Sequence, residues 1–141
     1  MNTAPLIDRL RLQCPGFKFV GGAMDLSEST LQAVVFPAAF VIPLAESAQP
    51  NQMLGTHDQQ VSQTWGVVLC LKNIRTAARD QTPELQALRM SVRNALTGWT
   101  PEPQTQEPFD FASGQLIDTE GGSLLWQDDY TRATYYRNPS T

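Results

Sequence analysis

Between Glu102 and Asp129 the chain contains no lysine, arginine or histidine. The same stretch holds seven carboxylates: Glu102, Glu107, Asp110, Asp118, Glu120, Asp128 and Asp129, half of the 14 acids in the protein. A segment of one sign repels itself unless it faces water or a basic partner. Other absences narrow the chemistry. Histidine occurs once, as His57, and cysteine twice, as Cys14 and Cys70, with no CxxC spacing. A structural zinc site needs about four such ligands, and a nucleophilic triad needs a base beside its serine or cysteine. The sequence therefore offers no catalytic residue set, no metal site and no cofactor fingerprint. The thiols read as two buried free cysteines in a reducing cytoplasm.

No apolar run approaches the ~18 residues of a membrane helix, and the N-terminus lacks a charged-then-apolar signal pattern. The expectation is a soluble protein synthesised in the cytoplasm, with no membrane partner. Charged residues make up only 17% of the 141 residues, and the net charge is −4. Non-specific nucleic-acid binders show a basic patch instead. A surface low in charge and rich in amides and hydroxyls suits a protein that buries much of its exterior against neighbours.

What is present reads as one domain spanning residues 1–141. Pro5 in a first turn after Thr3, then Leu6, Ile7, Leu10 and Cys14 on one stripe, predicts an N-terminal helix ended by Pro15-Gly16, with Thr3 as its cap. Residues 25–32 predict a weaker helix or turn. AAFVIPL at 38–44 predicts a strand in which Pro43 needs an edge or a strand end. Residues 45–58 read as a long polar loop, the kind that is often functional. In residues 59–73, Val61, Gln63, Trp65, Val67, Leu69 and Leu71 share one face, while the other face turns apolar at Val68 and Cys70. Such a strand belongs in the middle of a sheet.

Thr82-Pro83-Glu84 starts a second helix, with Leu85, Leu88, Val92, Leu96 and Trp99 at helical spacing and Gly98 as its stop. A proline-rich connector, 100–108, leads to two strands, 109–118 and 123–137, joined through Gly121-Gly122. In the last strand only the first few residues have core character. The order helix, strands, helix, hairpin predicts an α+β fold: an antiparallel or mixed sheet with one main helix and an N-terminal helix packed on it.

Candidate chemistry is sparse. His57 beside Asp58 is a weak pair, because neighbouring side chains of an extended chain point apart. The same geometry sends Asp128 and Asp129 to opposite faces of a strand, which spoils a shared metal site. Trp126, Tyr130, Tyr135 and Tyr136 suit core packing or an interface belt.

VGGAMDL (20–26), AAFVIPL (38–44), WGVVLCLKNIR (65–75), LTGWTP (96–101) and WQDDYTRATYY (126–136), taken in order, resemble the phage tail terminator family, in the branch found in phages with long non-contractile tails and their prophages. The likeness spans nearly the whole chain. It implies a homohexameric ring that sits on the last ring of tail tube protein, stops polymerisation and presents a surface to the head–tail connector or stopper protein. It implies no enzyme activity, no cofactor, and DNA that only passes through the lumen.

Three placements follow as expectations. Bases in mid-chain (Arg75, Arg79, Arg89, Arg93) face acids of the next subunit (Asp128, Asp129), with Tyr130 at that contact. The amide-rich loop with Gln49, Pro50, Asn51, Met53, Leu54 and His57 docks on the tube and can stay mobile until the tube arrives. Asp118, Glu120 or Asp128-Asp129 lend the bore a negative wall. Two other readings stay open on composition: a neighbouring neck protein such as a head–tail stopper or connector subunit, and a non-catalytic ligand- or peptide-binding α+β module.

Overall fold

Helix α1, Ala4–Gln13, turns Leu6 and Leu10 inward, both fully buried, and ends on buried Cys14. The protein is described here from a computed structural model, which covers residues 1–26, 35–72, 82–119 and 123–138. Pro5 lies in the first turn and Thr3 occupies the N-cap position as expected, but the Thr3 side chain makes no capping bond. Asn2 Oδ1 accepts the Ala4 N–H at 3.1 Å instead, a one-residue displacement of the same chemistry.

Among the described residues five strands form one mixed sheet in the order β1-β2-β3-β5-β4: β1 Phe19–Gly22, β2 Ala38–Ala48, β3 His57–Lys72, β4 Asp110–Asp118 and β5 Ser123–Asn138. Only β1 and β2 run parallel; the other pairs are antiparallel. β3 is central, as its two-sided apolar run requires. Its odd-numbered residues from Trp65 to Leu71 join the main core, and Val68 and Cys70 join a smaller cluster with Ala38 and Phe40 on the far face.

Helix α2, Thr82–Leu96, lies with α1 over the main core, burying Leu85, Leu88, Val92, Ala95 and Leu96. Each large apolar side chain so buried contributes about 1.5–3 kcal/mol. Gly98, at φ +80°, ends the helix in the left-handed region where glycine is unstrained. Trp99 then pairs back with Phe109 through the Phe109 N–H to the Trp99 carbonyl and a stacked ring contact at 6.0 Å.

Two expectations need correction. The loop is shorter than residues 45–58, because Ala45–Ala48 continue β2 and His57–Asp58 begin β3. The register shifts between Pro43 and Ala45, and β2 then resumes pairing with Thr64 to Val61. β1 ends at Gly22, opposite Val41, so among the described residues Pro43 sits where β2 has no strand partner on that side, the setting proline tolerates. These residues are solvent-exposed throughout, so no apolar alternation marks them as strand.

The second correction concerns β5. Its most buried residues are Asp128, Tyr130 and Arg132, not the first few. β5 is flanked by β3 along its length and by β4 from Leu125 to Thr131. Its middle is therefore the part sealed between strands and helix α2. The weaker helix expected at 25–32 is described only through a short 3₁₀ turn, Ala23–Leu26; the rest of it, and Gly121-Gly122, lie outside the described residues.

Candidate functional site

The helix-covered face of the sheet gathers arginines onto rings. Arg89 lies 4.5 Å over Trp126, Arg93 3.9 Å over Phe111 and Arg9 5.1 Å over Trp99. Arg132 is held between Trp65 at 4.6 Å and Phe109 at 4.8 Å. A guanidinium is weakly hydrated and flat, which suits this packing better than an ammonium does.

Arg89 reaches from α2 to Asp128 on β5 with a forked contact, Nε to Oδ2 and Nη2 to Oδ1, each 3.0 Å. The Trp126 indole N–H donates to the same Oδ1 at 2.9 Å. Asp128 is fully buried, and three N–H donors, Arg89 Nε and Nη2 and Trp126 Nε1, compensate its desolvation. Gly114 on β4 faces this site, and a Cβ there would strike Asp128 Oδ1 and Arg89 Nη2. Tyr130, also fully buried, has its hydroxyl pushed far above the usual phenol range by burial and by the Asp128 charge.

A second polar chain crosses the sheet. Glu46 Oε2 accepts Gln63 Nε2 at 2.7 Å, Gln63 Oε1 accepts Arg132 Nε at 3.2 Å, and Gln106 Oε1 accepts Arg132 Nη1 at 2.8 Å. It ties β2, β3, β5 and the proline-rich connector together. Sequence reasoning passed over Arg132; the signal was its place on the same alternating face as Trp126 and Tyr130.

The structure sorts the candidate residues accordingly. Arg89, Arg93, Asp128 and Tyr130 come together within the single chain. The acid–base match expected between subunits is thus met, for Arg89 and Asp128, within the chain. Arg75 and Arg79 lie outside the described residues. Asp129 points to the opposite face, as strand geometry requires, where it accepts from Gln127 Nε2 at 2.8 Å and from Ser113 Oγ at 3.5 Å.

The loop candidates group at the far end of the β2–β3 hairpin. Asn51 shapes the loop: Oδ1 accepts the N–H of Met53 and of Asp58, and Nδ2 donates to the carbonyls of Met53 and Thr56. On this frame Met53 and Leu54 project into solvent, 56% and 98% exposed. Gln49, Pro50 and Met53 line an open cleft of about 350 Å³ with Asp58, Gln60 and Tyr135. Asp58 pairs with Arg137 at 2.8 Å, and His57 bonds Gln59 at 3.0 Å, so the two adjacent side chains have separate partners.

Reactive groups are muted. Burial pushes both thiols up, Cys70 to about 12, which leaves little thiolate at neutral pH. Among the described residues no group of three His, Cys, Asp or Glu side chains could hold a metal ion, and no helix is long and apolar enough to cross a membrane.

A search of curated proteins returns no match. The family model described as phage tail terminator protein matches residues 1–139. Matched over nearly its whole length, the chain belongs to the phage tail terminator family and is a structural component of the phage tail.

Proposed function

We propose that this protein closes the tail tube as a homohexameric ring, halts tube polymerisation, and offers its other face to the head–tail connector. The observation that supports this best is the β2–β3 hairpin tip. An apolar pair, Met53-Leu54, stands in water on a loop that Asn51 holds in shape. Exposure of this degree on a shaped loop suits an apolar contact with a partner, and the repeating end of a tail tube is such a partner. The cleft beside it, with Gln49, Pro50 and Tyr135, adds polar contacts at its rim.

In this reading the sheet face away from helix α2 carries, at its β4–β5 side, Asp129 among Ser113, Gln115 and Gln127, with no lysine or arginine between them. Turned towards the bore, it would repel DNA phosphates and let DNA pass without sticking. Asp128, being buried, takes no part in that wall.

Electron microscopy of tails assembled with and without the chain tests the proposal. Overlong, headless tubes are expected in its absence. Tubes of normal length that still join heads would overturn it.

A further inference from the structure

We infer that neighbouring copies in the ring meet through opposite margins of the sheet: a basic cleft beside β1 on one copy receives the end of β4 from the next. This rests on the ring reading and names its contact surfaces. The cleft, about 270 Å³, is lined by Arg11, Phe17, Lys18, Phe19 and Val20. It offers two cations beside aromatic and aliphatic walls. Strand addition is not the mode of contact there, because β1's own edge is closed. Arg11 Nη2 donates to the Val20 carbonyl at 2.8 Å, and Asp25 Oδ2 accepts the Gly22 N–H at 3.0 Å.

The complementary surface lies at the other margin. β4 is the opposite edge strand, and a register shift falls between Leu116 and Asp118. Neighbouring residues of a regular strand face opposite sides, yet Leu116 and Ile117 are both open to solvent, at 51% and 45%. Two apolar side chains followed by a carboxylate match a cleft of aromatic walls and cations in both shape class and charge sign.

The two surfaces cannot meet within one chain. Four strand steps separate β1 from β4, roughly 19 Å at ~4.8 Å per step. They are also different patches, which makes the contact head-to-tail, the kind that closes into rings. On the ring reading, the occupant is a second copy of this chain.

The test is a cross-link in the full chain. The variant Lys18→Cys/Ile117→Cys, oxidised mildly on assembled tails, should give a ladder of covalent species extending beyond the dimer. Each single variant should stop at dimer or monomer. The native thiols, both buried, stay out of the reaction. No ladder, or dimers alone, on tails where microscopy still shows rings would overturn this contact and leave the ring standing. An unsubstituted chain that shows no ring on the tail would overturn both.

Discussion

Arg89 of α2 and Asp128 of β5 hold each other in a forked pair at 3.0 Å across the helix–sheet boundary, and the Asp128 side chain is sealed from water. The acids of the C-terminal third thus divide by strand parity. Asp128 serves the interior and Asp129, one residue later, serves the opposite face.

Removing one partner leaves the other unpaired and mostly buried, Arg89 at 16% and Asp128 at 0% side-chain exposure. Asp128→Ala should destabilise the chain by about 3–5 kcal/mol, whereas replacing both partners by apolar residues, as in Arg89→Met/Asp128→Leu, should recover much of that loss. Asp129→Ala should change stability by less than about 0.5 kcal/mol. Urea unfolding of the four proteins checks this. Equal losses at 128 and 129 would contradict the buried assignment.

The thiol of Cys70 predicts an alkaline limit. Burial raises it from 9.0 to about 12, and Cys14 moves in the same direction. The folded state therefore binds the thiol proton more tightly than the unfolded state does. The stability this gives is complete below about pH 9 and is lost progressively as pH rises towards about 12. Unfolding free energy should fall across that window, and Cys70→Val should flatten the fall. Native protein should also react slowly with a thiol reagent at pH 8, reaching two thiols per chain only when unfolded. Rapid labelling of the folded protein would refute this.

Much of this fold is legible from periodicity. The stripe Leu85, Leu88, Val92, Leu96 and the alternation from Trp65 to Leu71 assign themselves, because burial on one face leaves a period in the sequence. Ala45–Ala48 escape because a strand exposed on both faces leaves none. The fate of Arg89, Arg93 and Arg132 escapes for a different reason. Each is a charged residue whose partner rings come from another element: Trp126, Phe111, and Trp65 with Phe109. Local pattern shows which side a residue faces but not which ring lies opposite it. Gly114 is likewise unreadable until the crowded Arg89–Asp128 pair is placed against it. The loop residues were legible by composition alone, while the frame that makes them a surface, the four hydrogen bonds of Asn51, requires the closed hairpin.

That frame separates folding from docking at the hairpin tip. Leu54 is 98% exposed, so Leu54→Asp should leave stability within about 0.5 kcal/mol of the parent. If the tip meets the tail tube, the same change puts a carboxylate into an apolar contact and should abolish capping. Asn51→Ala acts differently. It keeps the apolar pair but removes the bonds that shape the loop, so capping should weaken without disappearing. Tube length distributions by electron microscopy, measured beside thermal melts, distinguish the cases. A Leu54→Asp chain that melts like the parent and still yields tubes of normal length would place the docking surface elsewhere on the molecule.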